Sequence, residues 1–213
     1  MLKLLGRTNS SNVQKVLWCL DEIGVPYERE DVGGAFGRNR EPEYLALNPN
    51  GLIPTLLDGD RVLWESNTIL RYLAASYDTG GLWEPDPGRR ADGEKWMDWQ
   101  LSELAPGAMT PLFKQYVRTP PERRDAAVIA QSLEKATRAF HMLDEALARA
   151  PWLGGERFTM ADIPCGAWAY RWMNLPVDRP QTAAAVKLFG RFIDHVEHRP
   201  GPPENKGRGV GSV

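Results

Sequence analysis

Ser10, Ser11 and Asn12 stand between a short apolar run at 2–5 and an apolar stripe of Val13, Val16, Leu17, Leu20 and Ile23. All three side chains carry an oxygen that can accept from the free N–H groups of a helix's first turn. The same groups, beside the partial positive charge of a helix start, can stabilise an anion. Position alone favours capping. In "NPNGLIPTL", residues 48–56, Pro54 opens an apolar strand, where proline is tolerated only at an edge or a first position. A cis Ile53–Pro54 bond would leave the Ile53 backbone facing outward, able to pair with a peptide-like ligand as an added strand. A plain strand-entry proline is an equal reading. In "WESNTI", residues 64–69, Glu65 and Ser66 lie where strand turns into helix. They read as a cap with a first-turn acid, or as an amino-acid clamp: Glu65 for an ammonium, Ser66 for a carboxylate.

The elements around these residues alternate at first. Residues 1–6 and 27–32 read as strands flanking a helix at 12–24, which Gly24 stops. Such a βαβ unit carries a parallel pair. A weak helix follows at 43–47. Apolar runs at 55–57 and 61–64 flank Asp58-Gly59-Asp60 as a hairpin, and Ser66 opens another helix. "DTGGLWEPDPG", residues 78–88, is rich in Gly and Pro and reads as a linker. Beyond it the pattern is helical, with helices expected at 89–105, 121–150, 160–174 and 182–197. "FTMADI", residues 158–163, has capping-box spacing, with Asp162 in place of the usual Glu and Phe158 stapling to Ile163. This motif is structural. Residues 198–213 have little to bury and are expected to be disordered.

Composition narrows the partners. The chain of 213 residues is long enough for one large domain or two small ones. A formal net charge of −2 gives no reason to expect a nucleic-acid or membrane partner. No apolar run approaches the roughly 18 residues of a membrane span, and the N-terminus does not read as a signal peptide, so a cytoplasmic protein is expected. Cys19 and Cys165, far apart in helix-like runs, read as buried reduced thiols. The three histidines share no metal-ligand spacing with them, and no metal is expected.

Each signal is weak alone, but their order is specific. "GRTNSSNVQKV", "LNPNGLIPTL", "LWESNTILRYLA" and "FTMADI" together resemble the glutathione transferase family over residues 1–197. The likeness is greatest to bacterial members opening with G-R-x-x-S-x-N-V. It implies a thioredoxin-like α/β N-terminal domain at 1–78, a linker at 79–88 and an all-α C-terminal domain at 89–197. It also implies glutathione as co-substrate, a small electrophile as second substrate and a homodimer.

Residue by residue, the resemblance puts the thiolate-holding hydroxyl on Ser10, with Asn12 near the sulfur and Ser11 serving the helix start. Ile53 and a cis Pro54, with Glu65 and Ser66, would hold the γ-glutamyl end, and Asn39 the glycine carboxylate. Gly51 departs from members that carry a gripping side chain there. The electrophile pocket would draw on Arg7, the Leu101–Phe113 segment with Met109, and the region from Trp168 to Trp172. Arg7 would favour a carboxylate-bearing substrate or form a surface ion pair. Glutathione-dependent disulfide or peroxide reduction is the alternative activity, and a non-catalytic binding module the third reading.

Overall fold

The computed structural model describes residues 1–78, 80–180 and 182–197. The disordered tail expected at 198–213 lies outside them. The first elements are β1 (Leu2–Leu5), α1 (Ser11–Ile23), β2 (Tyr27–Glu30), α2 (Pro42–Leu47), β3 (Thr55–Asp58), β4 (Arg61–Trp64) and α3 (Ser66–Tyr77). They build one mixed sheet in the order β2-β1-β3-β4. β1 and β2 pair in parallel and the other pairs are antiparallel, as a thioredoxin-like domain requires. Strand alternation sorts the side chains. Leu2, Leu4 and Leu56 join the core under α1 and α3, whereas Leu5 and Leu57 pack toward Tyr44 of α2. The hairpin closes with Asp58 opposite Arg61, and Gly59 takes a φ of 58°.

Asp78 organises the connection to the second domain, its carboxylate accepting from the N–H groups of Gly80, Gly81 and Trp83 at 2.7–3.1 Å. The helical domain holds α4 (Pro87–Trp99), α5 (Thr110–Phe113), α6 (Ala126–Arg149), α7 (Asp162–Asn174) and α8 (Ala183–Glu197). π-helical stretches at Gln100–Met109 and Lys114–Arg118 join α4 and α5 into one rod spanning 87–118. The helix expected at 89–105 is therefore extended through Pro106. Proline has no N–H to give an α-helical ladder, and the wider hydrogen-bonding of a π segment accommodates it. The helix expected from residue 121 begins at Ala126, after a 3-10 turn at Pro121–Arg123.

The domains share a core through α1 and α7. Trp18 of α1 meets Phe158 and Phe192 with ring centroids 5.4 and 5.2 Å away. Gly166 lets α7 approach, since a Cβ there would stand 2.6 Å from the Trp18 ring. At the start of α7, Asp162 accepts from the Thr159 N–H at 3.0 Å, as the capping-box pattern requires. The Thr159 hydroxyl serves Ala161, two residues on instead of three, at 3.3 Å. Cys19 and Cys165 are buried and reduced. Among the described residues no helix is long and apolar enough to cross a membrane.

Candidate active site

The turn from β1 into α1 carries the first group. Gly6 and Arg7 continue the pairing beyond β1, donating to Glu30 O and Val32 O at 2.8 and 3.2 Å. The chain then bends, with the Ser10 N–H donating to Arg7 O at 3.3 Å. Ser10, not Ser11 or Asn12, takes the capping position, with extended backbone at φ −86° and ψ 126°. Its carbonyl accepts from the Gln14 N–H at 2.8 Å, but its hydroxyl makes no capping bond. Ser11 and Asn12 are the first helical residues, so Ser11 is not the cap the sequence led us to expect. A partly buried hydroxyl is thus held at a helix N-terminus without serving the helix.

The loop before β3 carries the second group. The Ile53–Pro54 peptide is cis, and pairing begins only at Thr55, so the Ile53 backbone lies outside the ladder. The loop is anchored from beneath. Tyr44 Oη and Asn48 Nδ2 both donate to Leu52 O, at 2.6 and 2.9 Å. Asn39 Nδ2 donates to Gly51 O at 2.7 Å, so the Asn39 amide nitrogen is committed to the loop. Gly51 has a φ of 60°, and a Cβ there would meet Arg40 Nη1 at 2.7 Å and Asn39 O at 2.8 Å. The side chain missing at this position has its space filled by Arg40.

The third group opens α3. Glu65 precedes the helix with φ 69° and ψ 108°, a left-handed conformation that side chains rarely adopt. Its exposed carboxylate does not cap the helix. Such strain marks functional sites more often than chance. The neighbouring Ser66 is buried, and its Oγ accepts from Lys15 Nζ at 3.3 Å. An ammonium only donates, so the Ser66 hydroxyl proton stays free for another acceptor. Lys15 is itself fully buried and also donates to Asn67 Oδ1 at 3.2 Å and Gln100 Oε1 at 2.7 Å. Asn67 in turn donates to Met97 O at 2.7 Å. Burial pulls the Lys15 pKa down to about 7. Sequence reasoning missed Lys15; its signal is a lysine spaced three and four residues before Trp18 and Cys19 on a buried face.

The expected electrophile pocket is partly corrected. Met109 and Trp172 have no accessible surface, and Trp172 stacks on Phe140 with centroids 5.0 Å apart. Both fill the core of the helical domain instead of lining a cleft, and Trp168 is nearly as buried. Arg7 is near the opening of α1 as expected. It donates to the Asn9 side-chain oxygen, and Arg171 donates to Asn9 O at 2.6 Å. No surface ion pair holds Arg7 among the described residues. Beside it come Phe113 and Arg171, which lie within the segments expected to line the pocket, and Arg118, which does not.

Comparisons with known proteins bear on the family and the fold. The description "Glutathione S-transferase, N-terminal domain" matches residues 9–76, and "Glutathione S-transferase, C-terminal domain" matches residues 104–200. The glutathione S-transferase GstB of Escherichia coli is 45% identical over 177 residues, covering 82% of this chain and 85% of that protein. The disulfide-bond oxidoreductase YfcG of Escherichia coli is 31% identical over 174 residues, covering 78% of this chain and 79% of that one. The theta class glutathione S-transferase of Xanthomonas axonopodis pv. citri, solved with glutathione bound, superposes with a TM-score of 0.86 at 46% identity. It covers 92% of this chain and 96% of that one. Both domains are matched by the same family, and a relative 45% identical is aligned over 82% of the chain: the chain belongs to the glutathione transferase family.

Proposed function

We propose that the chain conjugates glutathione to small electrophiles, with Ser10 holding the thiolate. The observation that carries this reading is the Ser10 hydroxyl, which stands at a helix N-terminus without a capping bond. A free thiol titrates near 8.5, and lowering it by two units requires about 2.7 kcal/mol. A hydrogen bond from Ser10 to the charged sulfur supplies about 1.5–3 kcal/mol. The helix dipole adds about 0.3–1 kcal/mol. These suffice without a general base, and catalysis is then positioning plus anion stabilisation. Glu65 and Ser66 take the γ-glutamyl ammonium and carboxylate, the Ile53 backbone pairs with the peptide, and Asn39 and its loop face the glycine end. Asn12, exposed at the second helical position, assists at the sulfur.

Disulfide reduction is the second reading, supported by the relative named as a disulfide-bond oxidoreductase. Both cysteines are buried, and burial pushes their thiols up, so the only redox-active sulfur on this reading is glutathione's. A panel of neutral electrophiles and small disulfides, assayed with glutathione on wild type and Ser10→Ala, tests both. Conjugation lost in Ser10→Ala supports the transferase reading; a wild type that only reduces disulfides overturns it. The expected assembly is a cytoplasmic homodimer, which sedimentation equilibrium tests.

A further inference from the structure

Three guanidinium groups converge around Asn9, beside Ser10, and among the described residues none of them is paired with an acid. Arg171 lies over the Phe113 ring with its central carbon 4.8 Å from the centroid, and Arg118 lies 5.9 Å from the same centroid. Arg7 and Arg171 both donate to Asn9, the residue before Ser10, one to its side chain and one to its carbonyl. Among the described residues Arg7 Nε is buried without a hydrogen-bond partner, and it packs against Gly34. Among the described residues, none of the three arginines forms an ion pair. The nearby Asp31 is bound to Arg29, which also donates to Gly6 O at 3.0 Å. Burial first, and Arg118 second, hold the Arg7 guanidinium below its ordinary pKa; Arg171 is lowered by burial first and then by both other arginines, against an upward pull from Tyr170.

Like charges held together and partly dried repel one another, and an anion relieves that repulsion. Guanidinium forks match a carboxylate in bidentate fashion. The Phe113 ring lies within cation–π reach of two of the forks. We propose that Arg7, Arg118 and Arg171 form an anion-binding wall that selects electrophiles carrying a carboxylate next to the reacting carbon. The inference rests on the transferase reading of Ser10. The thiolate sulfur attacks the carbon that bears the leaving group, a C–S bond forms, and the leaving group departs with its electron pair. The arginines hold the carboxylate throughout and exchange no proton.

The test pairs a charged probe with a neutral probe of the same shape, 2-haloacetate and 2-haloacetamide. The kcat/KM ratio, charged over neutral, is divided by the ratio of the spontaneous rates. Wild type should exceed unity by about tenfold or more, the worth of one charge-assisted contact. The exposed Arg118→Gln should lower the ratio several-fold, and Arg118→Gln/Arg171→Gln should bring it close to one. Any effect of the cations on thiolate formation acts on both probes and cancels. Calorimetry with the two product analogues, S-carboxymethylglutathione and S-carbamoylmethylglutathione, gives a readout independent of turnover. The carboxymethyl form should bind about tenfold tighter, and Arg118→Gln should narrow the gap. If wild type turns over neither probe, the transferase reading fails and the binding comparison still decides the wall. Equal affinity of the two analogues overturns it. So does a loss of affinity for glutathione itself in Arg118→Gln with the ratio unchanged, which would give the arginines to the tripeptide.

Discussion

Lys15 Nζ donates to Gln100 Oε1 across 2.7 Å, and this bond joins α1 of the sheet domain to the π-helical stretch of the helical domain. Asn67 and Ser66 accept the other two N–H groups. All three protons are therefore used and all three acceptors are neutral. The ammonium is satisfied as a donor, but no acid touches it, and the more distant pull of Glu65 does not offset its burial.

That imbalance makes stability depend on pH. The Lys15 pKa is lowered by burial to about 7 in the folded chain, against 10.5 for an ordinary lysine. Between these values the unfolded chain binds more protons than the folded one, so the Lys15 contribution rises with pH across that window. Below it, both states carry the charge and the folded state bears the full burial penalty. Lys15→Met removes the titration. The unfolding free energy of wild type minus that of Lys15→Met should therefore increase from pH 7 to 10, measured by urea unfolding. A difference independent of pH would mean the ammonium is as comfortable folded as unfolded.

Ser10→Ala separates chemistry from capping. The Ser10 hydroxyl makes no capping bond, so the substitution should change unfolding free energy by less than about 0.5 kcal/mol, the floor for a used cap. It should raise the thiol pKa of bound glutathione by about one to two units, or about 1.4–2.7 kcal/mol. Titration of thiolate absorbance in the binary complex reads the second quantity. A lost kilocalorie of stability with an unmoved thiol would make Ser10 a cap.

Glu65 should trade stability against binding. Its φ of 69° is costly for any side chain, and glycine adopts it freely. Glu65→Gly should raise stability by about 1 kcal/mol, at the low end of such strain. The same variant, like Glu65→Ala, should weaken glutathione binding at least tenfold, about 1.4 kcal/mol, by removing the ammonium's partner. Calorimetric affinity equal to wild type in Glu65→Ala would take Glu65 out of the clamp.

Local signals in the sequence reached far into the fold and less far into the site. The Asp58-Gly59-Asp60 hairpin, Gly24 as the stop of α1 and the Thr159–Asp162 pair were legible because each depends on neighbours within a few residues. The run of helix through Pro106 was not, because a π segment absorbs a residue that ends an ordinary helix. Met109 and Trp172 read as pocket residues because apolar side chains look alike on a cleft wall and in a core; only the packed bundle separates them. Lys15 and the arginines around Phe113 depend on groups as far apart in sequence as 7 and 171. No periodicity reports such a meeting.

Asp162 is the clearest case of a local motif with a global consequence. Its Oδ1 accepts from the Leu153 N–H at 2.7 Å and its Oδ2 from the Thr159 N–H at 3.0 Å, tying the loop after α6 to the start of α7. The side chain is fully buried, so Asp162→Ala would strand two backbone donors. At about 1–3 kcal/mol each, the loss should reach about 2–6 kcal/mol, enough to threaten folding at 37 °C. Asp162→Asn keeps one acceptor and should cost less. Burial raises the Asp162 pKa from 3.8 to about 6, against the pull of the backbone N–H groups. For an acid raised on folding, the unfolded chain releases its proton first as pH climbs. The Asp162 contribution is then greatest below pH 4 and falls as pH rises to about 6. The stability of wild type relative to Asp162→Asn should accordingly decline between pH 4 and 6, the reverse of ordinary acid denaturation. A relative stability that climbs across that interval would mean the N–H groups outweigh burial and hold the carboxylate charged throughout.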